Sequence, residues 1–484
     1  MAPQLILGLF LLYTLLLFAI TWITARKADS QSFFIGNKIS PWFVVAYGMM
    51  GASLSGVTFM SVPGWVKDTQ FSYMVVVLGY LFGYFVIALV LLPLYYRLKL
   101  TSIYSYLDNR FGFWSYKTGA GFFIISRTLG ASLRMYLVIN VLQIFVFDAW
   151  NVPFWVNVLI FIMLIILYTL KGGIRTIIWT DTLQTTFMLL AVVLSVIYIS
   201  KSLDTSLPKL FATVKTSSIS KMFITDWHHE RFFLKQFFSG MFITIVMTGL
   251  DQEMMQKNLS CKNIREAQKN MFTFSGILVF VNLLFLFLGA LLLIFVQSRG
   301  VVVGSSDDIF PTVAIRYLGP VAGAVFLIGL ISAAFPSADG ALTSLTTSVS
   351  IDFLGLDKRH GMNEKAKTRI RYIVHLSIAL VFFVSVLIFS TLNDRAVIDK
   401  LFTIAGYTYG PLLGLYSFGL FTKRVVKDKF TPLIAILSPL ICYFLSKYSV
   451  ELFNGYKFGF ELLLLNGLLT FMGLHLFSKK PDRI

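Results

Sequence analysis

Apolar runs close to the length of a bilayer crossing, separated by short polar loops, limit what this chain can become. Hydropathy marks thirteen of them, at 4–25, 41–63, 71–96, 118–146, 153–171, 176–200, 233–256, 271–297, 318–350, 371–392, 398–421, 431–448 and 459–478. About 20 apolar residues in a helix cross the hydrocarbon core. Lipid offers no hydrogen bonds, so a spanning segment must satisfy its own backbone, as a helix does. The pattern predicts an all-α polytopic membrane protein. Composition agrees: 57% of the residues are hydrophobic and 13% charged, against about 25% charged in a soluble domain. The first run, Leu5 to Ile23, lacks a cleavage site and is followed by Arg26 and Lys27. It reads as a retained helix.

The formal charge of +18 would suggest nucleic acid on a soluble chain, but its placement argues otherwise. Of 41 Lys and Arg, 26 fall in one alternating set of loops and 13 in the opposite set, while Arg127 and Arg134 lie inside a run. The positive-inside bias predicts a multi-pass protein of the inner (plasma) membrane, N-terminus outside and C-terminus in the cytoplasm. Anionic lipid is the expected contact of the basic loops. Cys261 and Cys442 support neither a disulfide framework nor a metal site. His228 and His229 fall in a polar loop and His360 in a basic one. His375 and His475 stand alone in apolar runs and read as packing residues.

The second run is interrupted in a way a plain span would not be. Between Val45 and Gly64 it carries Gly48, Gly51, Ala52, Ser53, Ser55, Gly56, Thr58, Ser61 and Pro63. Such residues weaken a helix and allow carbonyls to turn toward a ligand. Non-helical backbone at membrane depth survives where it faces protein or a cavity, and interrupted helices form transporter ion sites. Packing through small residues is the alternative use. The interruption recurs about five helices later, at Ser239, Gly240, Thr244, Thr248 and Gly249. The ninth run is also polar, with Ser332, Pro336, Ser337, Gly340, Thr343 and Ser344. Four ionisable residues stand inside runs, Arg127, Arg134, Asp181 and Asp339, and intramembrane charges are functional candidates by default. Two internal salt bridges fixing helix packing are the alternative. Asp251 and Glu253 close the seventh helix at the cytoplasmic boundary, where solvation is expected. A dehydrated alkali cation needs several oxygens. The carbonyls of Gly51, Leu54 and Ala333, the Ser337 hydroxyl and the carboxylates of Asp181 and Asp339 could supply them. No HExxH, GxxxxGK[ST], CxxC or Ser/His/Asp set is present. An enzyme is not expected.

Ala52–Pro63 (ASLSGVTFMSVP), Thr101–Gly112 (TSIYSYLDNRFG), Gly172–Gln184 (GGIRTIIWTDTLQ), the segment from Asp251 to Gln268, and Tyr409–Gly414 (YGPLLG) resemble the sodium/solute symporter family, in order along nearly the whole chain. The resemblance implies a leucine-transporter-type fold with two inverted five-helix repeats, 41–200 and 233–421. An extra helix and loop (1–40) would precede them, an external loop (201–232) would separate them, and two extra helices (422–484) would follow, all in a single domain. It also implies Na+ as coupling ion, with the main sodium site on Gly51, Leu54, Ala333 and Ser337. A second site, found in some members, would use Asp181. Here Pro336 falls where the family usually has a hydroxyl ligand, and Asp339 and Gly340 where dual-sodium members have serines. Ser55, Thr58, Tyr73 and Thr248 fall in the solute cavity, and Arg134 looks like the arginine that grips the carboxylate in bacterial sialic acid symporters.

The expected function is sodium-coupled import of a small carboxylate-bearing solute, sialic-acid-like, a monocarboxylate or an amino acid. A proton-coupled or sugar/polyol symporter of the same fold is the nearest alternative, since Asp339 could exchange protons. Alternatively Arg134 could be neutralised by Asp339. A transporter-like membrane sensor is more distant. Topology is tested by single cysteines in a cysteine-free background. An impermeant reagent on intact cells should label position 215 and spare 262 and 369, and labelling of 369 reverses the orientation.

Overall fold

The apolar runs fold as helices in the computed structural model, which describes residues 3–24, 33–34, 36–359, 361–391 and 397–480. Arg26, Lys27 and His360 lie outside the described residues. In chain order the main helices are α1 (Pro3–Thr24), α2 (Trp42–Ser53), α3 (Gly56–Thr69), α4 (Tyr73–Arg97), α5 (Phe113–Trp150), α6 (Phe154–Leu170) and α7 (Gly173–Ser202). After the segment 203–232 come α8 (Phe233–Gly249), α9 (Gln252–Leu259), α10 (Ile264–Arg299), α11 (Pro320–Phe353), α12 (Glu364–Ser390), α13 (Val397–Phe421), α14 (Thr431–Lys447) and α15 (Leu462–Leu476). Among the described residues, eight helices are long and apolar enough to cross a membrane, or ten if each of two bent pairs is one span.

Hydropathy placed most ends well but began α10 and α12 seven residues late, at 271 and 371. Both open on a polar turn held by a side-chain cap: Asn263 Oδ1 accepts from Glu266 N–H (3.0 Å) and Asn363 Oδ1 from Lys365 N–H (3.1 Å). Hydropathy reports where lipid starts, whereas capping decides where the helix starts. The turn between α6 and α7 rests on Gly173, whose φ of 52° suits glycine and whose missing side chain leaves room for Phe33.

The site is built where the bent pairs meet α11. The α2–α3 pair bends by 57° and the α8–α9 pair by 64°. Helix α11 packs on α7, α5, α2 and α3, and the residues from Gly329 to Ser348 are all buried. Helices α12 and α14 turn Leu376, Leu380, Val384, Leu433, Leu440 and Phe444 outward as a lipid-facing band. A two-stranded ribbon, Val425–Val426 antiparallel to Ser478–Lys479, ties the loop before α14 to the end of α15.

Helices α4 and α8 approach through glycine. A methyl group on Gly79 would fall on the Phe237 carbonyl, and one on Gly240 on the Val76 carbonyl, the small-residue contact that lets membrane helices touch backbone to backbone. Gly79→Leu or Gly240→Leu is therefore expected to cost at least the ~1–3 kcal/mol of overpacking. Gly276→Leu, with nothing within 4 Å, should leave the melting temperature in detergent unchanged. Equal melting of all three variants would contradict this packing.

Candidate functional site

The helical ladder of α2 runs as far as the Leu54 N–H bond to Met50 O (2.7 Å) and resumes with Phe59 N–H to Ser55 O (3.1 Å). The carbonyls of Gly51 to Leu54 are those whose usual donors sit across the bend. Leu54, at φ −88° and ψ 41°, makes the turn. Helix α11 lies against it: a methyl on Gly56 would be 4.0 Å from the Ala333 carbonyl oxygen, and one on Gly51 would be 3.5 Å from Pro336 Cγ. Pro336 brings no N–H, so the Ser332 carbonyl loses its ladder partner. Ser337 Oγ, one turn after Ala333, is buried and has no hydrogen-bond partner among the described residues. The structure thus gathers Gly51, Leu54, Ala333 and Ser337 at one crossing. Oxygen without a partner collects there.

Below the bend a chain of buried charge crosses the molecule. Lys257 Nζ lies 2.7 Å from Asp181 Oδ2 and 3.4 Å from Glu253 Oε1, and the other Glu253 oxygen pairs with Arg127. Arg127 also reaches Asp251 Oδ2 at 3.8 Å, to which the Tyr409 hydroxyl donates at 2.7 Å. Asp251 Oδ1 caps α9, accepting from Glu253 and Met254 N–H (3.0 and 3.3 Å). Asp339 accepts from the Tyr168 hydroxyl (2.8 Å). Asp181 Oδ1 and Asp339 Oδ1 are both buried without a partner.

Three sequence expectations need correcting. Asp251 and Glu253 are fully buried rather than solvated, because the bend turns α9 inward beneath α11. Lys257, counted above among the loop charges, is 1% exposed and sits inside the cluster. The pairing of Arg134 with Asp339 does not occur, since Asp339 faces Tyr168 across α6. The reading missed Lys257, Tyr168 and Tyr409. One signal was available for the first: Glu253 and Lys257 are four apart on one helix, the spacing of an ion pair. His375 is the packing residue expected, between the hydroxyls of Thr169 and Thr346 at 3.0 Å each.

Above the bend lies a cavity of about 90 Å³ bordered by α2, α3, α4, α5, α8, α9, α10 and α13. Ser55, Thr58, Tyr73, Arg134 and Thr248, the five positions expected around a solute, all border it. So do Tyr80, Tyr84, Asn282 and Phe402, which the sequence reading did not name. The Tyr73 and Tyr80 hydroxyls are 3.2 Å apart. Arg127 and Arg134 are two turns apart on α5, yet they differ: Arg127 is bound by two carboxylates, whereas Arg134 makes no ion pair or hydrogen bond among the described residues. Arg134 meets the cavity with its charge uncompensated by direct contact.

The profile of the sodium:solute symporter family matches residues 33–429. The chain belongs to the sodium:solute symporter family. It is a sodium-coupled solute symporter, with Na+ as the coupling ion. The symporter is 23% identical to the sodium/sialic acid symporter SiaT of Proteus mirabilis over 90% of this chain and 88% of that one. It is 23% identical to sodium-coupled monocarboxylate transporter 2 of Danio rerio over 82% of this chain and 63% of that one. A solved structure described as the substrate-bound outward-open state of a Na+-coupled sialic acid symporter superposes with a TM-score of 0.81 at 19% identity, covering 98% of this chain and 99% of that one. That likeness shows the fold.

Glu253 is the hinge of the charge chain, since one carboxylate serves two cations. Glu253→Gln should lower the stability of the symporter by about 3–5 kcal/mol, the penalty for stranding a buried charge. Thermal unfolding in detergent measures it. A melting temperature equal to wild type would show that Arg127 and Lys257 do not depend on this carboxylate.

Proposed function

We propose that the symporter imports a small organic anion whose carboxylate binds Arg134, driven by sodium held between the α2–α3 bend and α11. The observation that carries this reading is Arg134: a buried guanidinium on the cavity wall, without an ion pair among the described residues. A desolvated cation is costly, and a bidentate carboxylate matches the guanidinium fork better than any neutral group. The relatives named above carry sialic acid and monocarboxylates, both carboxylates, which supports the same class here. Ser55, Thr58, Thr248 and Tyr73 would bind the hydroxyl or carbonyl groups of a sialic-acid-like solute. Sodium would take the carbonyls of Gly51, Leu54 and Ala333 and the Ser337 hydroxyl. Asp181 and Asp339, each with one buried oxygen lacking a partner, would add carboxylate charge beside it.

Coupling follows from shared backbone. The segment Gly51–Ser55 supplies sodium ligands on one side and cavity wall on the other, so ordering it for one ligand orders it for both, which is positive cooperativity by pre-organisation. We assign thirteen spans, counting each bent pair as one, arranged as two inverted five-helix repeats over 41–200 and 233–421. The bent pairs would open each repeat, which the matching 57° and 64° bends support. A cytoplasmic C-terminus follows from the loop charges, and transport without enzymatic chemistry from the absence of a reactive constellation in the sequence.

Sodium-driven uptake of a solute panel into proteoliposomes tests the assignment. Arg134→Lys should weaken carboxylate solutes by about 10–100-fold, the ~1.5–3 kcal/mol of a charged hydrogen bond. Ser337→Ala should raise the apparent sodium constant while uptake at saturating sodium persists. Undiminished carboxylate uptake by Arg134→Gln would reject the solute assignment, and unchanged sodium activation in Ser337→Ala would reject the ion site.

A further inference from the structure

The chain between α13 and α14 alternates with a period of two. From Lys423 to Lys429 the odd positions are exposed (Lys423, Val425, Lys427, Lys429), and the even ones are half-buried or buried (Arg424, Val426, Asp428). Extended backbone turns successive side chains to opposite faces, and here the two faces have different partners. The inward face fastens the segment. Arg424 donates to the Ser478 hydroxyl and carbonyl oxygens at 2.7 and 3.0 Å, across the ribbon to the end of α15. Asp428 accepts from the Trp114 and Ser115 N–H groups (2.7 Å each) and from the Ser115 hydroxyl (2.6 Å), and so caps the start of α5. From the chain before α5, Arg110 donates to the carbonyls of Gly419, Thr422 and Arg424.

The outward face has no such partners. Lys423, Lys427 and Lys429, joined across the ribbon by Lys479 and Lys480, are exposed and make no ion pair among the described residues. The surface lysines that do pair lie elsewhere, Lys358 with Asp108 and Lys367 with Glu364. Asp428 is the one carboxylate among the described residues of 422–430 and 477–480, and α5 engages both its oxygens. The five ammonium groups therefore face outward uncompensated. Hydrocarbon lies beside them. Phe421, ending α13, and Leu476, ending α15, are each 79% exposed, and Phe430 stacks on Phe477 at 4.9 Å. Apolar side chains so exposed on a membrane protein belong in lipid. Lysines two or three residues beyond them stand at headgroup depth.

We propose that this face of the ribbon is a docking surface for anionic phospholipid headgroups. Charge and depth match together: phosphate meets ammonium while the acyl chains meet Phe421 and Leu476. Each lysine held near an anionic surface strengthens attachment about fivefold. The leaflet is the inner one by the cytoplasmic C-terminus proposed above, and the surface itself stands without that reading. It exists only in the folded molecule, because 423–429 and 479–480 meet when α15 packs on α13. Bound lipid would brace the ends of α5 and α13, the helices that bring Arg134 and Phe402 to the cavity.

The test titrates purified symporter in detergent with phosphatidylglycerol or phosphatidylcholine and counts bound lipid by native mass spectrometry. Wild type should prefer phosphatidylglycerol. Changing Lys423, Lys427, Lys429, Lys479 and Lys480 together to Gln should cut that preference at least about tenfold. A control that changes Lys262, Arg265, Arg359, Lys365 and Arg369 to Gln, five other exposed charges, should keep it. A ligand that binds only folded protein raises its stability. Phosphatidylglycerol should therefore raise the melting temperature of wild type and control, and leave the five-lysine variant unmoved. Equal preference in wild type and the five-lysine variant overturns the proposal. An equal loss in the control also overturns it, since the effect is then one of net charge. No preference in wild type overturns it too, and leaves the face to an acidic protein partner. If the five-lysine variant does not fold, Lys427→Gln with Lys479→Gln takes its place under the same criterion.

Discussion

A charge taken out of water must find an opposite charge nearby, and in this molecule that requirement organises the centre. Lys257, Glu253, Arg127 and Asp251 alternate in sign, with Asp181 at one end and the Tyr409 hydroxyl at the other. They come from α5, α7, α9, the α8–α9 bend and α13. No helix among these can shift far without stranding a partner, and a stranded buried charge costs more than the intact pair contributes. The network adds little to stability by itself. What it does is exclude other arrangements of the helices that carry it.

The helix bends meet the same constraint for the backbone. Each bend releases carbonyl and amide groups that lipid cannot satisfy. At the α8–α9 bend the answer is internal, because Asp251 caps the new helix and joins the charge chain with its other oxygen. At the α2–α3 bend it is only partial: the Leu54 region faces Ala333 and an unpartnered Ser337 hydroxyl on α11. One bend is closed and the other is left open to a ligand. That asymmetry leaves unpartnered oxygen at the α2–α3 bend, beside the cavity that Arg134 borders from α5.

Much of the fold was legible because lipid imposes a simple rule on sequence. Apolar run length marked the helices, and clusters such as Gly51 to Gly56 marked the interruption at the observed place. The five positions that the family resemblance assigned to a solute border one cavity. The errors were at boundaries. Asn263 and Asn363 extend helices beyond the apolar runs, and Asp251 and Glu253 were read as solvated because hydropathy cannot show that α9 turns back into the protein.

The sequence by itself determined a helical membrane symporter, the positions of its interruptions and the presence of buried charge. Only the tertiary structure decided which charges are partnered. Lys257 meets Asp181 across 76 positions and Arg127 meets Glu253 across 126, whereas Arg134, two turns from Arg127 on the same helix, has no such partner among the described residues. Helical periodicity is a local property and can be read from neighbours in the chain. Charge pairing depends on how bent helices dock, and a 64° turn of eight residues is enough to carry a lysine from an apparent loop to the centre of the protein.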